Sequence, residues 1–325
     1  GMSLFWAEVP GPEKEKLHPR IAVTAQRLWG IYALFTLAMV VMLLLGGMNL
    51  FESLCHAFGA LSSGGFSPKN SSLAGYSPYI QYVATFFMFV AGTNFTLHYL
   101  MLRGKIKKAV SGQEFKAYLL VVLIPTLIIT ASLIAEKHYL AEKAFRSALF
   151  NVTSIVTCTG FANDDYMLWP GYAWFIIFLL MFSGGMAGST SGGIKIVRHL
   201  LLFKNLSNVL KRLWHKSAVN PVRLDNKTVD ARIIHNVLAI FFLYMITFGT
   251  GTLILTTTGL DAISSMGSVV SCMGGIGPGL ATTGPVANYA HLHDLGKWTL
   301  SFMMLLGRLE LFTLFIVFHP AFWKQ

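Results

Sequence analysis

The chain has 325 residues, 54% of them hydrophobic and only 12% charged, with a formal net charge of +11 and a mean hydropathy of +0.59. Soluble domains carry about 25% charged residues, so a water-soluble globular class is excluded and lipid is the main solvent. Nucleic-acid binding is not the reading of the positive charge, because the basic residues gather in a few connecting segments, as topology signals do.

The leader, 1–26, mixes Glu8, Glu13 and Glu15 with Lys14, Lys16 and Arg20. The first apolar run is not read as a signal peptide: an acidic stretch precedes it and no small-residue cleavage site follows. Stretches of about 20 apolar residues are long enough to span a bilayer. Six are expected as spans, at 27–50, 78–102, 115–135, 171–202, 233–256 and 298–318. Between the members of each pair lie shorter half-apolar segments, 51–61, 142–156 and 261–272, suited to helices that enter halfway.

Each half-helix runs into a glycine turn: SSGGFSP at 62–68, TCTGFA at 157–162 and GGIGPGL at 274–280. Non-helical backbone persists at membrane depth only where protein buries it or where it lines a watery cavity, so three such turns predict a permeation path. Lys and Arg fix its sides. The leader, the connection with Arg103, Lys105, Lys107, Lys108 and Lys116, and the segment 195–232 with nine basic residues are expected to be cytoplasmic. The turns, and the loops bearing Asp164, Asp165 and Asp294, then face outward.

Successive carbonyls in an extended glycine-bearing strand can replace the water shell of an alkali cation. None of the turns contains a carboxylate, which favours a monovalent ion over calcium or magnesium. The half-helices also aim their negative C-terminal ends at the turns. The expected filter residues are Ser63, Gly64 and Gly65; Thr159 and Gly160; and Gly275, Ile276 and Gly277, with the glycines 65, 160 and 277 at equivalent places. Close helix packing by small residues is the bland alternative for any one turn.

The fourth span is interrupted by GGMAGSTSGG at 184–193, with five glycines and three hydroxyl residues in ten positions. Each glycine costs a helix roughly 1 kcal/mol relative to alanine, so the helix breaks just below the turns. A polar loop there can lie across the path and move, which is what a gate requires; a packing kink is the alternative. The gate residues are Gly184, Gly185, Gly188, Ser189, Thr190, Gly192 and Gly193. The string is not a phosphate-binding loop, since Ile194 separates Gly193 from Lys195. In the last span, Arg308 and Glu310 are intramembrane charges two positions apart, hence on different helix faces. Arg308 is assigned to the pore wall below the filter, with a structural ion pair as the alternative.

Taken together, SSGGFSP, TCTGFA, GGMAGSTSGGIKI, GGIGPGL and GRLELFTL resemble the Trk and Ktr superfamily of potassium transporters over essentially the whole chain. The resemblance implies an all-α integral membrane protein of potassium-channel-like helix, pore loop, helix units around one pore. It implies potassium uptake across the bacterial cytoplasmic membrane, with potassium as substrate; a sodium-preferring or cation-coupled relative is the alternative. Family members have four such units, and this chain supplies three: 27–110, 111–216 with the gate loop, and 217–325, following the leader. The opening WAEVPGPEKEKLHPRI resembles the connection after the first of four units, so that unit is expected outside this sequence.

The resemblance also implies a homodimer regulated by cytoplasmic nucleotide-binding subunits of the TrkA type. The segment 195–232, with KRLWHK, is the expected docking surface, or a contact with anionic lipid headgroups. Cys55, Cys158 and Cys272 lack a metal or disulfide spacing, and His291 and His293 lack further ligands for a metal site. No nucleophile and base share a common depth, so no enzyme activity is expected.

Overall fold

The computed structural model describes residues 21–214 and 221–309. The first unit comprises α1 (Ile21–Leu45), the half-helix α2 (Leu50–Leu61) and α3 (Pro78–Ala91), followed by α4 (Phe95–Leu102) and α5 (Ile106–Ser111). The second has α6 (Gln113–Lys137), the half-helix α7 (Ala141–Val156) and α8 (Gly171–Leu180), then α9 (Ile196–Trp214). A small antiparallel pair, β1 (Arg223–Leu224) with β2 (Lys227–Thr228), leads to the third: α10 (Ala231–Thr257), the half-helix α11 (Ala262–Gly274) and α12 (Asp294–Arg308).

Among the described residues three helices are individually long and apolar enough to cross a bilayer: Val23–Leu45, Gln113–Lys137 and Ala231–Thr257, the first of each unit. Only 22% to 33% of each apolar window is buried, which leaves most of the surface for lipid or neighbouring helices. The half-helices begin where a side chain relieves free N–H groups. Asn49 Oδ1 accepts from Glu52 N at 2.8 Å and Asp261 Oδ2 from Ser264 N at 3.0 Å. α7 starts instead with Glu142 in its first turn, favourable at a helix N-terminus.

One expected span is corrected. Residues 78–102 are not a continuous helix: α3 and α4 meet at 103°. The chain stops at Gly92 and restarts at Asn94, whose side chain accepts from Thr96 N at 2.8 Å and caps α4. His98 ties the corner, its Nε2 lying 2.9 Å from Val90 O. The fourth span is broken as expected, although α8 already ends at Leu180, ahead of the glycine string. The continuation of α12, with Glu310, lies outside the described residues, as do 215–220 of the basic segment and most of the leader.

The units interlock through their turns. Phe161, from the second turn, is buried in the core of the first unit with Met39, Leu61 and Phe87. Ile276 and Leu280, from the third, are buried in the core of the second unit with Tyr118, Ile155 and Tyr166. Apolar burial therefore seats the second turn in the first unit and the third turn in the second.

Candidate functional site

The three half-helices end in the same backbone geometry. Ser63, Cys158 and Gly275 occupy the left-handed region at φ of 54°, 54° and 66°, and Gly65, Gly160 and Gly277 return to positive φ at 64°, 85° and 107°. Between them, the amides of Gly64, Thr159 and Ile276 donate to Gly59 O, Ser154 O and Ser271 O at 2.8, 2.9 and 2.9 Å. This repeat of left-handed residue, hydrogen-bonded amide and positive-φ glycine places each sequence-expected filter residue at an equivalent position. It also adds one that the sequence reading passed over, Cys158, which stands where Ser63 and Gly275 stand. The signal was present: aligning TCTGFA on SSGGFSP by its glycine puts Cys158 opposite Ser63.

The turns touch one another in succession. A Cβ on Gly65 would lie 1.9 Å from Thr159 O, and a Cβ on Gly160 would lie 1.8 Å from Ile276 O. Only glycine allows the next carbonyl so near at positive φ. The carbonyls of the second and third turns are thus pressed against the α-carbons of the first and second. At Gly277 a Cβ would meet no described atom within 4 Å.

The loop 184–193 lies directly against these turns and touches each of them. Thr190 Oγ1 is 2.9 Å from Ser63 Oγ of the first. A Cβ on Gly193 would be 3.3 Å from Cys158 Sγ of the second, and one on Gly192 would be 2.1 Å from Gly274 O of the third. The ends of the loop are pinned where Ser183 and Ile194 form a parallel bridge, with Gly184 N donating to Ile194 O at 2.8 Å. Within the loop, Ser191 Oγ accepts from Gly185 N at 2.9 Å and lies 2.8 Å from Ser189 Oγ. Lys195 donates to Ser191 O and, at 3.2 Å, to Ser191 Oγ.

The corner between α3 and α4 receives the loop. Met186 N donates to Gly92 O at 2.9 Å, Thr190 Oγ1 to Ala91 O at 3.2 Å, and Phe95 N to Gly188 O at 3.2 Å. Glu114, at the start of α6, accepts from Ala187 N at 2.7 Å. From the opposite side Arg308 Nη1 donates to Thr190 O at 3.3 Å. The structure therefore brings the loop 184–193, the turns and Arg308 into contact at one place. Glu114 and the Gly92 to Asn94 corner are the participants that sequence reasoning missed; the Gly-Thr-Asn string in the second span was the signal for the corner, and Glu114 had none.

The loops that follow the first and third turns carry polar contacts. Lys69 Nζ lies 3.1 Å from Glu52 Oε1 and 4.4 Å from the centre of the Tyr76 ring, and Tyr76 donates to Glu52 Oε2 at 2.8 Å. Tyr76 and then Glu52 hold the Lys69 ammonium above its ordinary value. On the third unit, Tyr289 OH donates to Gly277 O at 2.7 Å and fixes the last positive-φ glycine. Cys158 and Cys272 are buried and Cys55 is partly so; none is bonded to another. His293 caps α12, its Nδ1 accepting from Leu295 N at 3.2 Å.

Residues 1–325 match the family described as TrkH, cation transport protein. The Trk system potassium uptake protein TrkH of Salmonella typhimurium is 38% identical over 331 residues, which cover 100% of this chain and 68% of that protein. The Trk system potassium uptake protein TrkG of Escherichia coli K12 is 34% identical, with 100% of this chain and 67% of the relative covered. The crystal structure of the potassium transporter TrkH from Vibrio parahaemolyticus is similar with a TM-score of 0.90 at 34% identity, over 98% of this chain and 69% of that one. The helical fold with its apolar spans and the match along the whole sequence agree, and the chain belongs to the TrkH family of membrane cation transport proteins.

Proposed function

We propose that this protein mediates potassium entry across the bacterial cytoplasmic membrane, through a filter of backbone carbonyls from Ser63 to Gly65, Cys158 to Gly160 and Gly275 to Gly277. The loop 184–193 is the gate, held closed by Lys195 and Arg308. The observation that carries this reading is that the loop touches all three turns at once, through Thr190 on Ser63, Gly193 on Cys158 and Gly192 on Gly274. A segment so placed obstructs a path along the common centre. The fixed positive charge of Arg308 is then spent on a loop carbonyl rather than on repelling ions.

The absence of carboxylates from the turns supports a monovalent substrate, and the names of the relatives supply potassium. Dimerisation and regulation by cytoplasmic nucleotide-binding subunits belong to the same proposal. Supporting it, α9 exposes Leu206, Val209, Leu213 and Trp214 beside Lys211 and Arg212; anionic lipid is the other occupant suited to that face.

The test is rubidium and sodium uptake into liposomes carrying the full-length gene product. Rubidium uptake blocked by excess potassium but not by sodium, and a loss of that preference in Gly160→Ser, is the expected result. Equal sodium flux favours a sodium-preferring relative, and an indifferent Gly160→Ser removes the filter.

A further inference from the structure

Behind the second turn lies a buried polar network that the filter and gate do not account for. Gln81, on α3 of the first unit, is 2% exposed, and all of its hydrogen-bonding capacity is used. Its Nε2 donates to Leu73 O and Tyr76 O, both at 3.1 Å. Its Oε1 accepts from Asn163 Nδ2 at 2.9 Å and from Arg146 Nη1 at 2.5 Å. These partners fix which end of the amide is oxygen, because both carbonyls need a donor and Arg146 offers nothing else.

Asn163 sits three residues beyond Gly160, on the strand that leaves the second turn. Its Oδ1 accepts from Asn151 Nδ2 at 2.8 Å, and Asn151 Nδ2 also donates to Ser147 O at 3.0 Å within α7. Arg146, one turn nearer the start of the same half-helix, pairs with Glu142 at 2.8 Å. The first unit grips the backbone of this exit as well: Leu73 N donates to Ala162 O at 3.0 Å, and Ala162 N donates to Ser72 Oγ at 3.2 Å. Gln81 holds the carbonyl of that same Leu73.

The contact recurs at the next junction with different chemistry. Gly279 stands two residues after Gly277 as Ala162 stands two after Gly160, and its carbonyl accepts at 2.5 Å from Tyr166 OH of the preceding unit. Tyr166 is 1% exposed. In both junctions the outer loop of one unit fastens the exit of the next unit's turn. The second junction uses one hydroxyl, whereas the first uses a backbone–backbone bond, a bond from Ala162 N to the Ser72 hydroxyl and a side-chain network buried at appreciable desolvation cost.

We propose that Gln81, Asn163 and Arg146 are positioning residues for the second filter turn, so that cation selectivity depends on a polar clasp closed by the first unit on the exit of the second. The inference rests on the reading of the turns as a filter. Discrimination between alkali cations depends on where carbonyls stand and how freely they move. Satisfied buried networks rigidify the groups they hold. An apolar filler at Gln81 would preserve packing and release the strand from Gly160 to Asn163.

The test compares rubidium with sodium uptake in liposomes carrying the full-length gene product, for the wild type, Gln81→Met, Asn163→Ala and Gly160→Ser. The rubidium to sodium ratio should fall about fivefold in Gln81→Met and in Asn163→Ala, the equivalent of one ordinary hydrogen bond lost at the filter. A clasp that serves only stability would lower the yield of folded protein and leave that ratio alone. A wild-type ratio in both clasp variants, with the ratio lost in Gly160→Ser, overturns the clasp and leaves the filter standing. A wild-type ratio in all three removes the filter itself. Should Gln81→Met fail to assemble, Asn163→Ala decides, since each of its partners keeps one hydrogen bond: Asn151 keeps Ser147 O and Gln81 keeps Arg146.

Discussion

The carbonyl oxygen of Thr159 occupies the place where a side chain on Gly65 would begin, 1.9 Å from the ideal Cβ position. The same relation joins Ile276 O to Gly160 at 1.8 Å. The first and second turns are therefore each built around the one that follows, and Gly65 and Gly160 are required by the neighbouring turn as much as by their own dihedral angles.

Glycines in the same string should respond differently. Gly160→Ala adds about 1 kcal/mol of left-handed strain and drives a methyl group into a backbone carbonyl that has nowhere to retreat. Rubidium over sodium preference should fall about tenfold, as filter geometry is lost. Gly275→Ser should keep the ratio within about twofold, because Ser63 and Cys158 already adopt that conformation and a Cβ at Gly275 meets no described atom within 4 Å. Parallel flux measurements on the two variants check the contrast.

Removing the lock on the loop should raise flux. Arg308→Ala deletes the donor to Thr190 O, and an exposed hydrogen bond is worth about 1 kcal/mol, enough for roughly a fivefold increase in rubidium uptake if the gate limits it. Lys195→Met should act in the same direction through Ser191. Unchanged uptake in both would assign these residues to packing alone.

A close helix contact in the third unit can be probed by stability. At Gly307, on α12, a Cβ would lie 1.9 Å from Met273 O on α11. Gly307→Ala should destabilise the protein by about 1–3 kcal/mol, as overpacking does, visible as a lower midpoint in thermal unfolding in detergent. An unaltered midpoint would mean that the two helices separate at little cost.

The cap on the third half-helix gives a pH dependence. Hydrogen bonds from the Ser264 side chain and backbone hold the Asp261 carboxyl below the usual value. Its folded pKa is depressed, so its stabilisation is present above the unfolded value and is lost as pH falls through the folded one. Asp261→Asn, which keeps a capping oxygen, should flatten that acid limb, while Asp261→Ala should cost about 1 kcal/mol at neutral pH. Unfolding midpoints measured from pH 3 to pH 7 separate the two.

Much of the architecture was legible because the bilayer imposes simple arithmetic. Length and apolarity located the long first helix of each unit, and glycine strings after half-apolar segments located the turns to within a residue or two. The bend in the second span was not legible because Gly92 and Asn94 are brief polar marks inside an apolar run, and average hydropathy does not register a 103° corner. That corner matters because it is where the loop 184–193 docks.

What the sequence by itself determined were the local requirements: which segments tolerate lipid, which residues break helices, and which positions need positive φ. Only the tertiary structure decided the partnerships: Cys158 as the counterpart of Ser63, Thr190 between Ser63 and Arg308, and Gln81 reaching Asn163 across 82 positions of sequence. Local chemistry is written in neighbouring residues. Hydrogen bonds between distant segments have no period or spacing, and they exist only once burial of apolar surface has set the units around a shared centre.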